Sequence, residues 1–163
     1  MNIKRTLATL FVATSLVVTS SSVLAESSPS AGEVTPMIIG VGDTKAQAID
    51  IFNDQEYNLF LQTAEDQDWF KWTNTTGEAK FVMGWLDSLN QANVLNLAAV
   101  IHYDTTNTRY TTILNAEPTN ASDKSESGKI RNLYIPAGAT LYFKVNALNF
   151  NSAAQYKLQF FVF

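Results

Sequence analysis

Hydrophobic and polar residues alternate with a period of two through most of the chain beyond residue 56, which is the pattern of half-buried β-strands. Eight runs follow this pattern, at 57–63, 69–73, 80–86, 96–103, 110–114, 129–135, 140–147 and 155–163. Within one of them, the alternation predicts that Leu141, Phe143 and Val145 face the core. Because the run at 155–163 is strongly apolar, we expect it to form a central or well-covered strand.

Turn-forming segments separate these runs. They include "NTTGE" at 74–78, "DTTNT" at 104–108 and "PAG" at 136–138. No segment has the periodicity of a long helix, although residues 43–50 are compatible with either a short helix or an extended segment. About eight short strands joined by turns in one domain predict an all-β fold, an antiparallel β-sandwich.

The first 25 residues have the features of a secretory signal peptide: a basic start, an apolar stretch and a small-residue pattern that ends at Ala25. Residues 26–36 follow as a flexible leader that is rich in small and polar residues, and the β-sandwich domain is expected over 37–163. We therefore expect a secreted, extracellular protein without a membrane span in its mature form. Export without any cysteine also favours a bacterial source.

The charge of the chain argues against some partners. The 163 residues include 11 basic and 15 acidic ones, and loss of Lys4 and Arg5 with the signal peptide would make the net charge more negative than −4. Such a protein is not expected to bind nucleic acid or an anionic membrane. Acidic residues concentrate between Asp43 and Asp68, either as a cation site or as a solvated surface.

Residue types that common catalytic sites require are scarce. The chain has no cysteine and a single histidine, so it cannot build an ordinary zinc site. No Gly-x-Ser-x-Gly segment accompanies His102, which we expect to be a half-buried histidine of a sheet. We therefore predict no catalytic residues and no enzyme activity, with an unrecognised small hydrolase as the least favoured alternative.

The segment "AEDQDWFKW" at 64–72 places acidic residues directly before three aromatic ones. Asp66 and Asp68 are two residues apart, so on an extended strand their carboxylates point the same way, and Asp43 could join them. Calcium is bound by about six to eight oxygens, several of them from carboxylates. Asp43, Asp66 and Asp68 are therefore the predicted calcium ligands. In the alternative interpretation, Asp68 caps a turn through backbone N–H groups and Asp66 is solvated.

Aromatic residues on the predicted solvent face of the same strands suggest a binding surface. Trp69 shares its strand face with Lys71, and Tyr142 shares its face with Lys144. A rigid, exposed ring can stack on a sugar or proline ring at little entropic cost. The predicted ligand-binding residues are Trp69, Lys71, Tyr142 and Lys144. Trp72 lies on the opposite face. The alternative is that the candidate binding rings pack in the core instead.

The segment "DQDWFKW" at 66–72 resembles the bacterial pre-peptidase C-terminal (PPC) domain family, in which an acid-x-acid pair precedes two aromatic residues and an alternating strand. Three further segments resemble that family in the same order, at 43–51, 134–147 and 155–162. The resemblance covers roughly 37–163 and implies a jelly-roll-like β-sandwich. It also implies a non-catalytic accessory module of secreted hydrolases, here a stand-alone secreted member, with calcium near the acidic pair.

These observations together predict a secreted, non-catalytic module that binds an extracellular polymer and is stabilised by calcium. The expected partner is an extracellular protein or polysaccharide, such as a matrix protein or a cell-surface glycan. The alternative is a structural or effector protein that acts through protein–protein contacts or self-association.

Overall fold

The computed structural model describes residues 42–104 and 108–163. They contain one 3₁₀ turn, Lys45–Gln47, and nine strands. The strands are β1 (Ile49–Asp50), β2 (Gln55–Leu61), β3 (Gln67–Thr73), β4 (Lys80–Ser88), β5 (Val94–His102), β6 (Leu114–Asn115), β7 (Lys129–Ile135), β8 (Thr140–Asn149) and β9 (Ala154–Val162). The predicted signal peptide and flexible leader lie outside the described residues.

The strands form two sheets that pack face to face. One sheet has the strand order β1-β3-β8-β5-β6, and the other has the order β2-β9-β4-β7. The short β1 runs parallel to β3, whereas the other described strand pairs are antiparallel. The prediction of an all-β, antiparallel β-sandwich is confirmed. The part of the chain that the structure describes contains no helix with the length and apolarity that a membrane span requires.

The core lies between the two sheets and follows the predicted alternation. The inward-facing side chains of β8 and β9 are fully buried: Leu141, Phe143, Val145, Tyr156, Leu158 and Phe160. Burial of each large apolar side chain contributes about 1.5–3 kcal/mol, so this layer is a major source of stability. Gly84 on β4 leaves room for the ring of Phe143, because a Cβ there would lie 2.6 Å from the ring's Cζ atom.

The final strand, β9, lies between β2 and β4 and pairs with both along nearly its whole length. Its backbone N–H and C=O groups are therefore paired on both sides, and its inward-facing apolar side chains are covered by the other sheet. This confirms the prediction that residues 155–163 form a central strand. An apolar run of this kind at a sheet edge would instead invite aggregation.

The prediction of a strand at 110–114 is wrong for most of that range. Only Leu114–Asn115 pairs with β5, and Tyr110 makes one isolated bridge to His102. The side chains of Tyr110 and Ile113 are 62% and 55% exposed. The β-branched side chains of this run therefore remain largely exposed. Burial against neighbouring strands is what makes such residues favour a sheet.

The continuous alternation predicted for 129–135 is also wrong. In the pairing of β4 with β7, Gly84 faces Ile130 but Val82 faces Leu133, so β7 contains one residue more than β4 over this stretch. The additional residue forms a β-bulge, in which Asn132 adopts a left-handed conformation with φ of 55°. Ile130 and Leu133 therefore both face the core, although they are three residues apart.

Candidate functional site

Three acidic residues meet at the start of β3. One carboxylate oxygen from each of Asp43, Asp66 and Asp68 lies within 4.8 Å of the others. The segment that carries Asp43 is docked on β3 by a hydrogen bond from the Trp69 N–H to the Gly42 carbonyl, at 2.7 Å. Gly42 has a φ of 94°, which a side chain would strain, so glycine at this position allows the close approach. The structure thus brings the three predicted metal ligands together.

Asp66 belongs to the turn between β2 and β3. The backbone N–H of Gln62 donates to Asp66 Oδ2 at 2.7 Å, and the Asp66 N–H donates to the Thr63 carbonyl at 3.4 Å. The sequence-based alternative, in which Asp68 caps the turn, assigned this role to the wrong residue. Oδ2 of Asp66 stabilises the turn, and the turn does not require the second carboxylate oxygen. Asp66 can therefore also present an oxygen to the acidic cluster.

Asp68 is a buried carboxyl that links the two sheets. It is 5% exposed, and its Oδ2 accepts a hydrogen bond from the hydroxyl of Tyr156, which is fully buried on β9. Burial raises the pKa of Asp68 to about 6, and the nearby charges of Asp66 and Asp43 act in the same direction, whereas the Tyr156 bond opposes them. Burial also raises the pKa of Tyr156 well above its usual range, so this phenol stays protonated and donates.

Asp43 and Asp66 border a shallow depression of about 340 Å³, whose wall also includes Gln62, Thr63 and Glu65, while Asp68 is buried beside it. The acidic and amide side chains of this depression carry oxygens, and such oxygens are the ligands that hard divalent cations prefer. A cation would also reduce the mutual repulsion of the carboxylates and the cost of burying Asp68 in its charged form. The three carboxylates therefore fit the donor preference of calcium.

The four predicted ligand-binding residues lie together on the outer face of the five-stranded sheet. In the pairing of β3 with β8, Trp69 faces Lys144 and Lys71 faces Tyr142. The Lys144 Nζ lies 5.9 Å from the centroid of the Trp69 ring, and the four side chains are half-buried rather than fully exposed. We call these residues the β3–β8 face.

Trp69 and Trp72 have different environments, as their positions on β3 predict. The indole Nε1 of Trp69 is buried and has no hydrogen-bond partner among the described residues. Trp72 packs on the core side, with its ring centroid 5.6 Å from that of Phe160. Trp69 therefore lies on the outer face with its Nε1 buried, whereas Trp72 contributes to the core.

Sequence reasoning missed the side chains that cover Tyr142. Lys45 Nζ lies 4.5 Å from the centroid of the Tyr142 ring and also hydrogen-bonds to His102 Nε2. His102 is 6% exposed, packs edge-on against Tyr142 with a centroid distance of 5.1 Å, and stacks on Tyr110. It is thus more deeply buried than predicted. Its neighbours Ala98 and Val100 on the same outer face are small and apolar, which is the one sequence signal that this face is covered.

No protein-family model and no curated protein matches this chain. One similar solved structure is the pre-peptidase C-terminal domain of a collagenase from Bacillus anthracis, which is 16% identical, with 69% of this chain and 93% of that chain covered and a TM-score of 0.45. Another is the Yersinia pseudotuberculosis-derived mitogen, which is 15% identical, with 69% and 88% covered and a TM-score of 0.47. Since both TM-scores lie below 0.5, neither similarity assigns this chain a family or a function.

We expect the stability of the metal-free protein to fall as the pH rises from 3.8 to about 6. The pKa of Asp68 is higher in the folded state, so the native protein binds this proton more tightly than the unfolded chain does. Ionisation across this range should therefore cost folding free energy, up to roughly 3 kcal/mol. Denaturant unfolding in chelator at a series of pH values measures this effect.

The Asp68→Asn variant tests the assignment, because it cannot ionise. It should lose this part of the pH dependence, whereas the neighbouring Glu65→Gln variant should keep it. An Asp68→Asn variant that folds and retains the full slope of the native protein would show that another group is responsible.

Proposed function

We propose that this chain is an exported, non-catalytic module that binds an extracellular polymer and is stabilised by calcium. The observation that carries the proposal is the meeting of three carboxylates, one of them buried, directly beside an outward-facing tryptophan. Asp68 and Trp69 are consecutive on β3, so the cation site and the β3–β8 face share one strand. This supports a module in which the metal fixes the strand that presents the ligand surface.

In this proposal, calcium links three separate segments of the chain. Asp43 precedes the 3₁₀ turn, Asp66 belongs to the β2–β3 turn, and Asp68 lies on β3. A cation bound by all three would hold the first described segment and the turn against the sheet. Because it would bind the folded state and not the unfolded chain, it would stabilise the protein by mass action.

The β3–β8 face is the proposed surface for the polymer. The ammonium groups of Lys71 and Lys144 would meet acceptors such as carbonyl or hydroxyl oxygens. The ring of Trp69 would pack against rings of the ligand, and Tyr142, which Lys45 and His102 cover, would lie beside them. Proline-containing matrix proteins and glycans both combine such rings with such acceptors. The burial of His102, the single histidine, supports a binding role rather than catalysis.

A second candidate function is a structural or effector role through protein contacts or self-association. It is favoured by aromatic side chains on the outside of the four-stranded sheet and at the end of β9. Phe81 and Tyr134 pair across β4 and β7 with ring centroids 5.6 Å apart, and they are 51% and 54% exposed. Phe163 is 70% exposed, and its N–H donates to the Phe81 carbonyl at 2.8 Å. Exposed apolar patches often mark protein interaction sites.

We expect calcium to raise the melting temperature of the protein and a chelator to lower it again. Calorimetric titration should show that Asp43→Asn and Asp66→Asn each weaken calcium binding by at least roughly tenfold, because affinity depends on the number of charged ligands. Glu65→Gln is the matched control, since it removes the same charge from the same depression without removing a proposed ligand. A melting temperature that responds to neither calcium nor chelator would refute the metal site.

We expect Trp69→Ala to weaken polymer binding while the protein stays folded, and Trp72→Ala to destabilise it by roughly 3 kcal/mol through lost core packing. Pull-down on insoluble collagen, chitin, cellulose and peptidoglycan measures binding, and denaturant unfolding measures stability. Equal destabilisation in both variants, with no change in binding by Trp69→Ala, would contradict the proposed surface. Failure to bind any polymer, together with a molecular mass that rises with concentration in light scattering, would favour the second candidate.

A further inference from the structure

A second pocket, separate from the acidic cluster, lies where the end of β4, the β4–β5 turn and the loop between β6 and β7 meet. Its volume is about 280 Å³. That is close to the lower end of ordinary ligand sites, which start at roughly 300 Å³, so it suits a ligand of about one ring. None of its lining residues belongs to the predicted metal site or to the β3–β8 face. We call it the Trp85 pocket.

Asn93 gives this pocket an unused hydrogen-bond donor. Asn93 lines the pocket, is only 1% exposed, and accepts the Asn151 N–H through Oδ1 at 2.8 Å. That bond fixes the orientation of the amide, because the flipped amide would place its NH₂ group against the N–H of Asn151. The buried Nδ2 finds no acceptor in the described part of the chain. A buried donor without a partner is costly, so a ligand acceptor that reached Nδ2 would remove that cost.

The walls of the Trp85 pocket are held in place by hydrogen bonds to the sheets. Thr119 donates its N–H to the Leu95 carbonyl and accepts the Leu95 N–H through Oγ1, both at 3.0 Å. Gly128 accepts the Leu86 N–H at 2.8 Å, and a Cβ at this position would lie 2.0 Å from the Leu86 oxygen. The loop therefore sits on β4 and β5 at fixed points. A preformed pocket of this kind loses little conformational entropy when a ligand binds.

Trp85 supplies an aromatic wall that is itself held in position. Lys129 Nζ lies 4.5 Å from the centroid of the Trp85 ring and donates to the Ser125 carbonyl at 2.8 Å. This contact joins the indole to the loop that forms the other side of the pocket. A tryptophan beside planar polar side chains is a combination that suits the alternating apolar faces and hydroxyl edges of a sugar ring.

We propose that the Trp85 pocket binds one residue of a neutral saccharide. The indole of Trp85 packs against a face of the sugar ring, and Asn93 Nδ2 donates to a sugar oxygen. The carboxylate of Asp87 and the amides of Gln91 and Asn120 meet the remaining hydroxyls. Asp87 and Lys124, which also line the pocket, carry opposite charges, so the pocket does not favour a charged ligand.

This proposal does not depend on calcium or on the β3–β8 face. Loss of the acidic cluster would leave the walls of the Trp85 pocket unchanged, because no residue is shared. A negative result at one site therefore leaves the other proposal standing.

The test is a nuclear magnetic resonance titration of the full protein with glucose, galactose, mannose and N-acetylglucosamine, and with inorganic phosphate as a separate probe. At least one sugar should shift the indole N–H signal of Trp85 and the side-chain amide signals of Asn93. Asn93→Asp retains an oxygen for the Asn151 N–H but loses the donor, so it should weaken sugar binding by roughly tenfold.

Two further variants separate binding from folding. Trp85→Ala removes the aromatic wall, so sugar should no longer shift the side-chain amide signals of Asn93. This variant tests the proposal even if Asn93→Asp does not fold. Met83 lies on the same outer face of β4 but outside the pocket. The Met83→Ala variant should therefore bind sugar as the native protein does. The proposal is overturned if no sugar shifts these signals, if folded Asn93→Asp or Trp85→Ala binds sugar unchanged, or if phosphate alone shifts them.

Discussion

The hydrogen bond from the Tyr156 hydroxyl to Asp68 joins the two sheets at the edge of the core, and the candidate metal site depends on it. Asp68 shares the inner face of β3 with Phe70 and Trp72, so the register that buries these rings also carries the carboxyl inside. Burial of an ionised carboxylate is costly unless other groups compensate. Tyr156 compensates in part, and the pKa of Asp68, raised to about 6, reflects the remaining cost. A cation between Asp43, Asp66 and Asp68, as proposed, would compensate for this remaining cost.

The same strand connects this site to the proposed ligand surface. Its inner face holds Asp68 and Phe70, while its outer face presents Trp69 and Lys71 beside the side chains of β8. One register therefore sets both features, and a one-residue slip would exchange them. This explains why dense negative charge and dense aromatic surface are adjacent in the sequence: the acidic residues lie at the rim of the sandwich, and the rings that follow divide between its two faces.

The sequence predicts the parts of this arrangement that depend on local periodicity. The inner faces of β8 and β9 follow directly from alternation, and so does the opposite orientation of Trp69 and Trp72. The sequence does not predict the bulge at Asn132, because the bulge follows from how β7 pairs with β4. The cover over Tyr142 depends on Lys45 and His102, which are 57 residues apart, and the Trp85 pocket depends on a bond between Asn93 and Asn151, which are 58 apart. Local patterns do not encode such contacts.

The most direct test of the account is a titration of the Asp68 carboxyl followed by nuclear magnetic resonance, with and without calcium. In metal-free buffer, we predict a midpoint near pH 6, because the carboxyl is buried and lies near two like charges. With calcium bound, the midpoint should fall well below that value, because a nearby cation favours the ionised form. An ordinary midpoint near the usual value of 3.8, unchanged by calcium, would contradict both the burial of Asp68 and its role in binding a cation.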